Sequence, residues 1–359
     1  MKKIFFSLVA LAALAACSKS EVEYDEPSGE VGFTPVASNI TKAALGVDDN
    51  TYPTTQNIGI WSNYDGDVAH GTTVNYNTQF KVAYIEDKQF TYHTTTNPVS
   101  WAGVTPYYWP TNGSLVFAGY SMTAPDSPGT EAPAVGTSRS YSFSSDELKI
   151  NGYTQSTDPA NTFDLLWFGR TGTSFNLRNQ AAAVPVMFSH ALSWITINVV
   201  GEGVVLDPNN TWKVTSVVIN KVANTGNVTC KGTGANAAEW KDLSAQENTI
   251  TVWTGSQPLE ATAKPIETTE KGTLVIPQTP QTLTVKYTYK TPAGVEIEEE
   301  STVSLSLTGA KDASNNVITY TDWQSGTHYT YTLKFTQTEI LISPTVEGWA
   351  EVNQNVTVN

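Results

Sequence analysis

Cysteine is nearly missing: Cys17 and Cys230 are the only two in 359 residues. Two thiols form one bridge at most, so no disulfide framework holds this chain together. Histidine is almost as scarce, with His70, His93, His190 and His328 scattered and each read as structural or surface. No C-x-x-C pair and no H-E-x-x-H is present, which removes the recognisable zinc cages. Positive charge is short as well, with 20 Lys and Arg against 34 Asp and Glu and a net charge of −14. Nucleic acid and anionic headgroups both need basic partners, so that balance argues against each. The glycines lack phosphate-loop and dinucleotide spacings, and no serine sits in a nucleophile elbow or an S-x-x-K. The chain is therefore read as a non-enzyme with no cofactor and no metal.

What is present begins at the N-terminus. Lys2 and Lys3 precede an apolar segment, Ile4 to Ala16, that is too short to span a bilayer. Small residues then lead to a cysteine, as Leu14-Ala15-Ala16-Cys17. This resembles the lipobox of bacterial lipoproteins, which implies that Cys17 is acylated and becomes the first residue of the mature chain. A cleaved export signal with a coincidental cysteine is the alternative, and it loses only the anchor. Without the signal the net charge is −16, from 18 bases and 34 acids. With Cys17 lipidated, Cys230 has no partner. Residues 18–30, SKSEVEYDEPSGE, are polar and acidic and read as a tether. Fully extended, it spans at most ~45 Å.

Beyond the tether, helical periodicity gives way to period two. Leu283, Val285, Tyr287 and Tyr289 alternate with polar residues, as do Val303, Leu305 and Leu307, and Tyr329, Tyr331, Leu333 and Phe335. Each is a strand with one wet face. Thr291-Pro292-Ala293-Gly294 has turn chemistry and joins two strands into a hairpin. Leu115 to Tyr120 and Phe163 to Phe168 are apolar on both faces and suit central strands. Ten Trp, sixteen Tyr and twelve Phe supply area to bury. The fold class is all-β, with two β-sandwich domains in tandem. The expected division is a signal at 1–16, a lipidated tether and first strand at 17–44, and domains at 45–180 and 181–359, with the boundary near the polar stretch before Pro185.

Candidate binding residues are few. Asp65-Gly66-Asp67 reads as a β-turn, since no calcium-loop pattern follows. Glu296 and Glu298 to Glu300 read as a solvated edge that repels wrong strand pairing. Trp101, Tyr107, Tyr108 and Trp109 cluster. Such rings serve either as packing or, exposed and coplanar, as a platform that stacks on sugars. Trp101, Tyr108 and Trp109 are the platform candidates. That alternative, a glycan-binding lipoprotein of the outer-membrane surface, resembles the β-sandwich binding lipoproteins of polysaccharide-utilisation systems.

Several motifs occur in order. Thr41-Lys42-Ala43 is followed by Ile58-Gly59-Ile60-Trp61. Tyr107-Tyr108-Trp109-Pro110 leads into Leu115-Val116-Phe117-Ala118-Gly119-Tyr120. Asp164-Leu165-Leu166 and Phe188-Ser189-His190-Ala191-Leu192-Ser193 come next. Together they resemble the fimbrillin family of Bacteroidales, the subunits of type V pili, over most of residues 31–359. The resemblance implies transthyretin-like sandwiches and an outer-membrane lipoprotein at the cell surface or in the fimbrium. It also implies assembly by strand exchange with other pilin subunits or with itself, and adhesion to a host or bacterial surface ligand. In that scheme a protease cuts after a basic residue behind the first strand, and another subunit's C-terminal strand fills the vacated groove. Lys42 is the basic residue here, where the family usually has arginine. Val31, Phe33, Pro35 and Ala37 share one side of the removable strand. Ala350, Val352, Val356 and Val358 alternate with polar residues as the donor strand, and Gln354 interrupts them. Burying four such side chains is worth at most ~5–8 kcal/mol. A terminal strand paired within its own domain is the alternative. Stalk, tip and anchor roles stay open.

Overall fold

The computed structural model describes residues 29–37, 52, 54–66, 79–95, 100–110, 113–121, 140–144, 147–169, 183–207, 211–231, 237–266, 272–336 and 339–348. Among these residues there are 21 strands, two short 3-10 turns and no α-helix. First come β1 (Gly32–Ala37), β2 (Ile58–Asp65), β3 (Val82–His93), β4 (Ser100–Gly103), β5 (Ser114–Ser121), β6 (Ser140–Ser144) and β7 (Glu147–Thr154). Then follow β8 (Leu166–Phe168), β9 (Val184–His190), β10 (Ser193–Gly201), β11 (Lys213–Val222), β12 (Thr225–Lys231), β13 (Ala238–Lys241) and β14 (Asn248–Pro258). Last are β15 (Lys264–Pro265), β16 (Thr273–Val275), β17 (Thr282–Lys290), β18 (Glu296–Ser304), β19 (Lys311–Asp312), β20 (Thr327–Phe335) and β21 (Ile340–Gly348).

The first half closes into a barrel in the order β1, β4, β3, β2, β5, β8, β9. Closure removes open edges. Every pair is antiparallel except β1 with β9. β5 is buried on both faces, and its sequence explains how. Leu115 and Phe117 join the barrel core with Phe33, Phe90 and Phe188. Val116, Ala118 and Tyr120 face a second core shared with Leu148, Ile150 and Val228.

The second half packs two sheets over one core. One sheet runs β15, β10, β20, β21, β19 with β16 beside β10, and the other runs β14, β11, β17, β18. On β20, Tyr329, Tyr331, Leu333 and Phe335 are all buried, as the alternation predicts. The hairpin between β17 and β18 closes where the Gly294 N–H donates to the Thr291 carbonyl at 2.8 Å. Glu296, Glu298, Glu299 and Glu300 lie exposed on β18, the edge of its sheet. Leu305 and Leu307 are buried but fall past the end of that strand.

A fourth sheet, β13, β12, β7, β6, ties the halves together. Its middle ladder pairs β7 with β12 from Glu147–Lys231 to Thr154–Thr225. β9 also departs from the expected division at residue 180. It is hydrogen-bonded into the barrel, beside β1 and β8, and the chain crosses to the second half after it. Pro185 does not break the strand, because it sits inside β9 opposite Thr34.

Candidate functional site

Among the described residues, β1 is the only strand of the barrel that precedes the Thr41-Lys42-Ala43 stretch. It lies between two neighbours. Gly32 and Phe33 pair with Ala102 and Trp101 of β4, and Phe33 to Ala37 pair with Val184 to Phe188 of β9. Past Phe33 the strand pairs only with β9 among the described residues, which is where a proline such as Pro35 is tolerated. Upstream, the Val31 N–H donates to the Tyr107 carbonyl at 2.7 Å, and the Trp109 N–H donates to the Gly29 carbonyl at 3.0 Å.

The side chains hold more than the ladder does. Val31 and Phe33 are fully buried, and Pro35 is buried too. The Phe33 ring meets Phe117 edge-on at 5.0 Å, Phe90 edge-on at 5.3 Å and Phe168 at 6.3 Å. Gly32 passes Ser100 so closely that a Cβ there would lie 2.6 Å from the Ser100 hydroxyl oxygen. Tyr52 stacks on Phe188 at 5.0 Å and donates its hydroxyl to the Asn57 carbonyl at 3.0 Å. Burial pushes the Tyr52 phenol up. The slot around β1 is thus apolar, aromatic and fully filled.

Several expected site residues lie outside the described residues: Cys17, Lys42, and Ala350, Val352, Val356 and Val358. Val31 and Phe33, which the resemblance places on a removable strand, both lie in the barrel core. Ala37 is in β1 opposite Phe188.

The sugar platform is corrected. Trp101 and Trp109 are 5% and 1% exposed, while Tyr108 is 49% exposed. Trp101 packs on Tyr52 and Tyr92 and donates its indole N–H to the Gln56 carbonyl at 2.9 Å. Trp109 sits edge-on to Phe117 at 5.7 Å. The barrel core claims both indoles, and the three rings form no shared exposed face.

A second polar site escaped the reading of the sequence. His190 Nδ1 lies 2.7 Å from Asp164 Oδ2, with both side chains buried. Asp164 Oδ1 is buried with no hydrogen-bond partner among the described residues. The pair joins the Asp-Leu-Leu stretch to the end of β9, where the chain leaves the barrel. Four more ties converge on the next residues. Ala191 donates to the Leu165 carbonyl at 2.8 Å and accepts from the Trp240 indole at 2.7 Å. The Gly326 N–H donates to the Leu192 carbonyl at 2.9 Å, and the Ser193 hydroxyl donates to the Gln324 carbonyl at 2.8 Å. The crossing is therefore clamped from the barrel, the shared sheet and the second half at once.

Among the described residues no cluster of His, Cys, Asp or Glu is arranged to hold a metal. Cys230 is buried, and desolvation pushes its thiol well up, which keeps it from thiolate chemistry.

Comparison with known proteins decides the family. Residues 41–349 match the model of the fimbrillin-like family. The chain belongs to the fimbrillin-like family. Residues 1–18 match the prokaryotic membrane lipoprotein lipid attachment site, a stretch that contains Cys17. A comparison with curated proteins finds no match. Among solved structures, this fimbrillin-like chain is similar to a fimbrial protein from Bacteroides vulgatus. That pair has 16% identity and a TM-score of 0.59 over 89% of this chain and 99% of the other. A fimbrilin from Porphyromonas gingivalis matches at 11% identity and a TM-score of 0.40 over 92% and 99%. The first likeness supports the fold. As a member of the fimbrillin-like family, the protein is not an enzyme. With its lipid attachment site, this fimbrillin-like chain is a membrane-anchored surface lipoprotein.

Proposed function

We propose that this fimbrillin-like lipoprotein is a structural or adhesive subunit of type V fimbriae, lipidated on Cys17 at the outer membrane and assembled by protease-triggered strand exchange. The observation that carries the reading is β1. It is a short strand, held on two sides, and its side chains fill the barrel core. The Thr41-Lys42-Ala43 stretch follows it within a few residues. A cut after Lys42 separates β1 covalently from the rest of the barrel. Its departure uncovers the edges of β4 and β9 and the rings of Phe90, Phe117 and Phe168. An extended strand of another subunit then closes the barrel again, with backbone pairing for affinity and side-chain pockets for selectivity. Residues 350–358 supply the outgoing strand to a neighbouring subunit, through Ala350, Val352, Val356 and Val358.

Electron microscopy of surface filaments, with immunogold labelling, tests the role. Cells lacking the gene should lose or alter the labelled filaments, and the wild-type gene should restore them. A Val356→Asp copy should give a folded protein that fails to restore them, because an unpaired carboxylate in an apolar groove is costly. Unchanged filaments in cells lacking the gene would overturn the role. A Val356→Asp protein that unfolds would place that strand inside its own domain instead.

A further inference from the structure

We infer that the β1 slot selects a strand with an aromatic side chain at the Phe33 position, no side chain just before it and apolar residues two positions to either side, so its partner is a different subunit rather than this chain's own residues 347–359. The inference rests on the strand-exchange reading above and names the partner of that same slot.

The aromatic requirement follows from what surrounds Phe33. Three rings line its position, and each is held by another ring. Phe90 stacks on Tyr107 at 6.1 Å, Phe117 is met edge-on by Trp109 at 5.7 Å, and Phe168 by Phe188 at 5.2 Å. A pocket whose walls are braced in this way collapses little when its occupant shrinks. A smaller side chain then leaves a void, and the cost of a core substitution grows with the void that remains. The second requirement comes from Ser100, which is 4% exposed and crowds the Gly32 position to 2.6 Å. A side chain there must push a buried hydroxyl aside.

The chain's own tail does not meet these demands together. In a strand, alternate residues face one side. If Ala350, Val352, Val356 and Val358 face inward, no ring reaches the pocket, and Glu351 or Asn353 takes the crowded position beside Val352. If the other face turns inward, Gly348-Trp349 supplies a ring with a glycine just before it. Its inward neighbours two residues away are then Glu347 and Glu351. The corresponding neighbours of Phe33 are Val31 and Pro35, both buried. A carboxylate thus replaces an apolar side chain whichever way the strand runs, and burying it unpaired is unfavourable. Residues 30–37 of the chain meet all three demands through Val31, Gly32, Phe33 and Pro35.

Peptide capture by full-length protein cut after Lys42 tests this, read by native mass spectrometry and by anisotropy of labelled peptides. The probes are residues 30–37, the same peptide with Phe33→Ala, residues 347–359, and that tail with Glu351→Gly and Val352→Phe. The β1 peptide should bind at least about tenfold more tightly than the native tail. Phe33→Ala should weaken capture by about a hundredfold or more, as large-to-small changes at braced core positions do. The doubly substituted tail should recover to within about tenfold of the β1 peptide. Equal capture of the native tail and the β1 peptide would overturn the selectivity while leaving strand exchange standing. A doubly substituted tail that binds no better than the native one would also overturn it. Capture of no peptide, the β1 peptide included, would sink the strand-exchange reading and the selectivity with it.

Discussion

Removing His190 should cost far more than removing its partner. In His190→Ala the Asp164 carboxyl keeps its buried place and loses the group 2.7 Å from Oδ2. Oδ1 already has no hydrogen-bond partner among the described residues, so there is no second contact to fall back on. Breaking a buried pair from the basic side leaves the acid uncompensated, at roughly 3–5 kcal/mol. In Asp164→Ala the imidazole is left instead. It keeps its other contacts, so the loss is that of one buried hydrogen bond, about 1–3 kcal/mol. The Asp164 carbonyl still accepts from the Ser121 hydroxyl at 3.1 Å, and Leu166 still donates to that hydroxyl at 2.9 Å, so the loop keeps its backbone ties. Urea denaturation followed by tryptophan fluorescence measures both variants and the double variant in one cycle. The double variant should be no worse than His190→Ala, because the stranded carboxyl is gone. Near-equal costs for the single variants, or a His190→Ala loss below about 1 kcal/mol, would refute the view that this pair is a buried, mutually dependent clamp.

Other outcomes follow from the remaining features. Cys17→Ala should release the protein from the membrane fraction, since each buried CH₂ of an acyl chain holds with ~0.8 kcal/mol; variant protein that still floats with membranes and labels with palmitate would refute lipidation there. Trypsin should cut folded protein after Lys42 before most other basic sites, because nicking concentrates in segments rich in small and polar residues such as 41–49; early cleavage elsewhere by mass spectrometry would count against it. His328 stacks on Trp194 at 3.7 Å, and burial lowers it from its ordinary 6.5 to about 4. The unfolded chain takes up that proton first, so the contribution of His328 is full above pH 6.5 and is lost as pH falls toward 4, by up to roughly 3 kcal/mol. His328→Gln should flatten the difference in stability between pH 7 and pH 4.5, and an unchanged slope would contradict the burial argument.

Much of the fold is legible in period two. β20 and β17 carry one polar and one apolar face, and the structure buries the apolar one. β5 is apolar on both faces because the barrel core lies on one side of it and the shared core on the other. The pairing of β9 into the barrel, past the expected division at residue 180, has a physical reason. Polar composition marks where a chain meets water, but this chain crosses between halves at Ala191 and Leu192, both buried. The shared sheet was hidden as well, since pairing β7 with β12 brings together residues more than seventy positions apart, such as Thr154 and Thr225. No local pattern encodes such a ladder.

The aromatic cluster shows a different limit. Ring density is the same whether indoles face sugar or face a core. Parity along the strand and the identity of the opposite residue decide, and Trp101 stands opposite Phe33 on one side and Tyr92 on the other. A ring between two strands whose facing residues are themselves aromatic has nowhere to go but inward. The same logic makes β1 readable, because Val31, Phe33 and Pro35 announce a buried face without any knowledge of their neighbours. It does not extend to Asp164 and His190. A lone acid in an apolar run looks like a loop residue, and a lone histidine before Ala191-Leu192 looks like a strand end. Only closure of the barrel brings the ends of β8 and β9 side by side, with Leu166 opposite His190, and carries the carboxyl to the imidazole. The clamp is thus a consequence of topology acting on two residues that are individually unremarkable, whereas the slot is written into three consecutive inward positions of one strand.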